Sequence, residues 1–146
     1  LKKSYDVAYT NINQFDFSKS PKILPYDHEV IYAHLELLHA MYLDKKTDDE
    51  LITYAKEYNL LNALFVIDEC QNFFAKDDKV LTWWFTYHGH LHQDIMLITQ
   101  NLDLVFTGYT KIAEFFYKAV PPSSRFFSIS FVMCNITLIN ASKRTK

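Results

Sequence analysis

Two short apolar runs stop abruptly at polar side chains, Leu64-Phe65-Val66-Ile67 at Asp68-Glu69 and Ile95-Met96-Leu97-Ile98 at Thr99-Gln100. An unbroken run of four to six Val, Ile, Leu and Phe is how a strand reads when a parallel sheet covers both its faces. About thirty residues separate the runs, enough for the crossover helix that joins parallel strands. Upstream, residues 5–12 are β-branched and aromatic enough for a first strand, and Pro21 and Pro25 then punctuate a loop. Asp27 opens a helical stretch to about residue 42, with Ile31, Leu35, Leu38 and Tyr42 three to four apart. Thr47 with Glu50 three residues on is a capping-box pattern, which predicts a second helix from Asp48 to about Tyr58.

Strands are predicted over 63–67 and 94–99, with a polar loop at 71–79 that docks Phe73 and Phe74. The crossover helix falls at 80–91, carrying Leu81, Trp84, Phe85 and His88 along one face. A further helix is expected over 109–119 with Ile112, Phe115 and Phe116, ended by Pro121-Pro122-Ser123-Ser124. Residues 126–139 alternate in places and read as one or two strands of unreadable pairing. The order strand, helices, strand, helix, strand, helix, strand specifies a three-layer α/β/α domain with a mainly parallel sheet. We place its core at about 5–118, with C-terminal strands and a tail over 119–146.

A chain of 146 residues corresponds to a single domain, and 49% hydrophobic with 16% aromatic residues supplies a full core. The formal net charge of −2 gives no reason to expect an unaided grip on nucleic acid, and no sequence-specific nucleic acid binding is expected. Only two glycines occur, Gly89 and Gly108, against an average usage of about 7%. A glycine-rich phosphate loop is therefore absent from these residues. Cys70 and Cys134 lie far apart with no ligand spacing, and read most simply as free thiols rather than a disulfide. Neither an apolar run near 18 residues nor a signal-peptide pattern is present. The first residue is not Met, which suggests an excised or partial chain.

In open α/β sheets ligands sit outside the carboxyl ends of the strands, where Asp68, Glu69 and Gln100 would be. Two adjacent acids leaving a buried strand suit a magnesium–nucleotide site. Asp68 would hold Mg²⁺ directly or through water, and Glu69 would polarise the attacking water. Neighbouring strands lie about 4.8 Å apart, so Gln100 would reach the same water or terminal phosphate. Asn11, closing the first strand, is a further site-lining candidate. Set against this, strands ending in Asp-Glu also arise by chance in many α/β proteins. His88, His90 and His92 could bind zinc if they lay on a strand. At a helix end they splay apart, and contact with a neighbouring element or a phosphate is the simpler reading. Trp83, Trp84 and Phe85 read as core rather than a base-stacking platform, and Phe115-Phe116-Tyr117 as packing. Arg125 beside Ser123 and Ser124 would meet a phosphate or sit in a solvated loop. Lys143, Arg144 and Lys146 form a basic tail, solvated or approaching an anionic membrane surface.

The succession LFVIDECQNFF, a Trp-rich helix and then HGHLHQDIMLITQN resembles the zonula occludens toxin (Zot) family, and AYTNINQFDF resembles its Thr-Asn-Ile strand. The likeness covers about residues 5–118 and rests on the Asp-Glu-x-Gln and Asp-Ile-x-x-x-Thr-Gln segments. It implies a P-loop NTPase related to the filamentous-phage assembly ATPase, with ATP and Mg as cofactors. By the same resemblance Asp68 stands at the Walker B aspartate, Glu69 at the catalytic glutamate and Gln100 at the polar sensor. It further implies a homo-oligomer at the cytoplasmic face of the bacterial inner membrane, working with phage assembly or secretion proteins. In some bacteria the family implies a prophage-encoded toxin, a secreted fragment acting on tight junctions. The family's Gly-x-x-x-x-Gly-Lys-Ser/Thr loop precedes the Thr-Asn-Ile strand and would lie upstream of Leu1. Two other readings stay open: a nucleotide-free interaction or toxin module, and a metal-dependent hydrolase using the histidines with Asp94.

Overall fold

Strands β1 (Val7–Thr10), β2 (Ile23–Pro25), β3 (Ala63–Ile67), β4 (Asp94–Thr99), β5 (Phe115–Tyr117) and β6 (Ile136–Asn140) form one sheet in the order β2–β1–β3–β4–β6–β5. Every pairing in it is parallel. The computed structural model describes residues 4–117 and the backbone of 136–140. Helices α1 (His28–Leu43), α2 (Asp48–Glu57), α3 (Lys79–Tyr87) and α4 (Thr107–Ile112) occur in the connections. This is the α/β architecture with a parallel sheet that the strand and helix order specifies. The two motif strands are neighbours, with Phe65 opposite Ile95 and Ile67 opposite Leu97.

Local chemistry accounts for the helix starts. Asp27 caps α1, its Oδ1 accepting from the backbone N–H groups of Glu29 at 3.0 Å and Val30 at 3.2 Å. Thr47 and Glu50 form the complete reciprocal capping box of α2. Asp78 caps α3 by accepting from Leu81 N at 2.9 Å. Each cap satisfies N–H groups that have no partner inside the helix, a contribution of about 1 kcal/mol apiece.

One face of the sheet carries Val7, Tyr9, Ala63, Phe65, Ile67, Ile95 and Leu97, all buried. Phe65 stacks on Tyr9 at 5.2 Å and meets Trp84 of α3 edge-on at 5.2 Å, so helix and sheet interlock through rings. Phe74, Phe85 and Tyr109 extend this core, which joins α3 to α4. On the opposite face Ala8, Leu64, Val66 and Met96 are only half-buried. A buried amide braces the core. Gln93 accepts from Trp84 Nε1 at 2.8 Å and donates to the Leu60 carbonyl at 2.6 Å, tying α3 to the approach to β3.

Three expected elements differ from those observed. The crossover helix expected over 80–91 is α3 as far as Tyr87 and then a tighter 3-10 turn over His88–Leu91. The segment with Pro21 and Pro25 is not all loop, because residues 23–25 form the edge strand β2 against β1. Pro25 fits there, since an edge strand's outer N–H needs no partner. The helix expected over 109–119 is the shorter α4, and Phe115-Phe116-Tyr117 is strand β5 beside β6. Ala113 ends α4 in an extended conformation, and three successive aromatics favour a strand once a sheet edge is available. Their side chains are exposed by about half rather than packed in the core. Of the strands expected over 126–139, β6 falls at 136–140, and the remainder lies outside the described residues. So do Pro121 through Arg125, Cys134, Lys143, Arg144 and Lys146.

Gln93→Leu keeps the volume but leaves the Trp84 indole N–H and the Leu60 carbonyl buried without partners. A loss of about 2–4 kcal/mol is expected in urea denaturation. An unchanged midpoint would show that water replaces the amide. Burial also holds the His28 imidazole below its ordinary 6.5, with Asp78, Asp27 and Glu29 opposing. The unfolded chain therefore takes up this proton first. The stability this site contributes is complete above about pH 6.5 and declines as pH falls toward the lower folded value. His28→Phe should flatten that part of the stability–pH profile.

Candidate functional site

The ladder between β1 and β3 ends at Thr10 and Val66, and a side chain continues it. Asn11 donates from Nδ2 to the Asp68 carbonyl at 2.9 Å and accepts at Oδ1 from the Asp68 N–H at 2.6 Å. This copies the two bonds a strand backbone would make and holds the end of β3 against β1. Beyond it the chain turns sharply. Asp68 Oδ1 accepts from Glu69 N at 2.8 Å, and Glu69 adopts the left-handed conformation, φ 50° and ψ 42°. That conformation costs a non-glycine residue about 1–2 kcal/mol. The turn Cys70–Asn72 follows, with Asn72 N donating to the Glu69 carbonyl at 2.9 Å.

The turn aims the Glu69 carboxylate toward β4. Gln100 Nε2 donates to Glu69 Oε1 at 3.0 Å, and Gln71 Nε2 donates to Oε2 at 2.5 Å. The Gln71 side-chain Oε1 accepts from Thr99 Oγ1 at 2.7 Å, and Thr99 is fully buried at the end of β4. The carboxylate is thus oriented by two amides, one of them anchored to the neighbouring strand. Both oxygens keep a further lone pair for a water or a cation. Asp68 and Glu69 are half-buried, and among the described residues neither closes a salt bridge. Next to them the Cys70 thiol is pushed up by burial and then by the charges of Asp68 and Glu69, so it stays a protonated core group.

Sequence reasoning therefore places Asn11, Asp68, Glu69 and Gln100 together at one sheet edge, where the structure brings them into one hydrogen-bonded network. Gln71 and Thr99 belong to the same network but carry no role in the sequence reading. The available signal was their place in the two motif segments, Gln71 two residues after Glu69 and Thr99 just before Gln100. The histidines do not converge. His88 Nδ1 bonds to the Phe85 carbonyl at 2.9 Å, and His90 stacks on Tyr87 at 4.6 Å with Nδ1 3.5 Å from Asp48. His92 occupies a left-handed position ending the turn. Among the described residues no three His, Cys, Asp or Glu side chains gather to hold a metal. Trp84 and Phe85 are fully buried and Trp83 nearly so, which makes them core.

The donor set at Asp68 and Glu69 is hard oxygen, and Mg²⁺ takes one or two carboxylates while keeping several waters. These residues fit that cation. Among the described residues the only glycines, Gly89 and Gly108, form no glycine-rich phosphate loop.

The fold and site together define a parallel α/β domain with paired carboxylates beyond a central strand. The family model described as Zonular occludens toxin (Zot) matches residues 1–119, and the chain belongs to that family. Among solved structures it is similar to the N-terminal domain of zonular occludens toxin from Neisseria meningitidis, with 14% identity and a TM-score of 0.47. The match covers 88% of this chain and 64% of that one, so the chain spans under two thirds of that structure's length. No curated protein sequence matches.

Asn11→Ala removes both bonds to the Asp68 backbone. It should lower stability by about 1–3 kcal/mol and speed amide hydrogen exchange at Asp68 and Glu69 more than in the centre of β3. Uniform acceleration along β3 would show that the clamp is not local.

Proposed function

We propose that this domain is the nucleotide-hydrolysing part of a Zot-like protein, using ATP with Mg²⁺. The carrying observation is that Gln100, just beyond β4, donates to the Glu69 carboxylate beyond β3, so the ends of two adjacent strands build one site. In this reading Asp68 holds the magnesium, directly or through water, and Asn11 fixes the peptide that carries Asp68. Glu69 is the general base: its carboxylate accepts a proton from the attacking water. Gln71 and Gln100 hold that carboxylate in position, which supplies the orientation a base must have before proton transfer is efficient. Bound Mg²⁺ would supply charge neutralisation at the phosphates. The reading requires a phosphate-cradling loop of the kind that the family carries ahead of its Thr-Asn-Ile strand. The wider setting we propose is a homo-oligomer at the cytoplasmic face of the bacterial inner membrane, assembling or exporting filamentous phage. A toxin action on tight junctions by a secreted form belongs to the same proposal.

The test is Glu69→Gln in the longer protein with its phosphate loop. The variant keeps the side chain's shape but turns one acceptor oxygen into an amide donor, and Gln100 can flip to accommodate it. Nucleotide should still bind, while hydrolysis falls about 10²–10⁴-fold, roughly 3–5 kcal/mol of barrier. Steady-state phosphate release within about twofold of wild type would remove Glu69 as the base. The 146-residue polypeptide alone should bind Mg·ATP more weakly than about 1 mM by calorimetric titration. Micromolar binding there would show that another cluster does the work of the loop.

A further inference from the structure

The outward side of α1 is apolar where a surface helix is usually charged. Val30 and Leu37 are each 54% exposed, seven residues apart, with the exposed Ala33 and Ala40 between and after them. Positions spaced three, four and three residues apart form one seam along a helix, the spacing with which a second helix packs. Small residues in the seam let another backbone come close. Glu29 and Glu36 flank the seam, also seven apart, and α1 contains no Lys or Arg.

Beside this face, between α1 and the loop before α3, lies a pocket of about 440 Å³. Its wall includes Tyr32 and Phe73, with Glu29, Glu36, Asp77 and Asp78 contributing carboxylates against the single ammonium of Lys76. Asp78 is engaged internally, accepting from Tyr32 Oη at 2.8 Å and capping α3. The carboxylates of Glu29, Glu36 and Asp77 accept no hydrogen bond and close no ion pair among the described residues. The imidazole of His28, stacked on Phe73 at 4.7 Å, adds no compensating charge while it is neutral. Aromatic faces beside unpaired carboxylates suit a guanidinium or ammonium group.

We infer that the outward face of α1 and this pocket form a docking surface for a basic amphipathic helix of another protein. Its apolar residues pack on Val30 and Leu37 at seven-residue spacing, its flanking cations meet Glu29 and Glu36, and one Arg or Lys enters the pocket. Charge complementarity selects this occupant over a second copy of the chain. Two copies meeting antiparallel through this face would set the glutamates against one another. A parallel pairing would offer them only His34 and Met41, the seam's other flank, and His34 already bonds to Tyr54 Oη at 2.9 Å. Phe73 of the pocket wall ends the turn that follows Glu69, so the two places are joined along the chain. The surface does not depend on nucleotide hydrolysis and stands independently of that proposal.

The probe is a synthetic helical peptide with leucines at seam spacing and flanking arginines, titrated by fluorescence anisotropy into the 146-residue protein. A scrambled peptide of the same composition and a peptide with glutamates for arginines are the controls. Micromolar binding is expected for the first, with both controls weaker by about tenfold or more. Leu37→Asp should weaken binding by about tenfold with an unchanged urea midpoint, since the side chain is half-exposed. The double substitution Glu29→Lys with Glu36→Lys should reverse the preference toward the glutamate peptide. Equal binding of the scrambled peptide would reduce the face to bare charge, and absence of binding at about 100 μM would remove it as a docking surface. Self-association that Leu37→Asp abolishes would make the occupant a second copy. Each of these three results overturns the inference.

Discussion

The two hydrogen bonds between the Asn11 amide and the Asp68 backbone decide where β3 stops and how it stops. A parallel ladder frays at its end because the next N–H and C=O have no strand opposite them. Asn11 supplies both missing partners from a side chain, so Asp68 leaves the sheet in a defined direction. Glu69 then bends into the left-handed region, a strain of about 1–2 kcal/mol that the paired backbone on one side and the turn Cys70–Asn72 on the other can hold. Without the bend its carboxylate would not face Gln100.

That geometry rests in turn on the fit of α3 against the sheet. Trp84 meets Phe65 and bonds to Gln93, and Gln93 bonds to the Leu60 carbonyl just before β3. The crossover between the two motif strands is therefore fastened at both ends. Thr99 completes the arrangement by holding Gln71 from the end of β4. A polar network at the site and an aromatic core beneath it share the same two strands, so register errors in one would misplace the other.

Much of this could be read along the chain. The apolar runs before Asp68 and Gln100 marked β3 and β4 within their observed bounds, because buried strands tolerate few polar residues. Asp27 and the Thr47–Glu50 pair marked two helix starts, because capping is a local interaction. Phe115-Phe116-Tyr117 was misread as helix because strand formation there depends on β6, far along the chain. Residues 23–25 were misread for the same reason, since two prolines nearby signal a turn and only β1 shows that an edge is free. Gln71 was legible as a polar residue near the acids, but its bonds to Glu69 and Thr99 span two elements and no spacing rule yields them.

By itself the sequence determined the alternation of strands and helices, the family, and the candidate chemistry of Asp68, Glu69 and Gln100. Those follow from periodicity, local caps and residue type, which act within a few positions of the chain. Only the tertiary structure decided that Asn11 clamps Asp68, that Glu69 is held by two amides, and that the histidines go separate ways. It also left Val30 and Leu37 bare on the outside of α1, although their hydropathy alone would bury them. Which apolar face of a helix is covered depends on what packs against it, and that contact is made by residues distant in the chain.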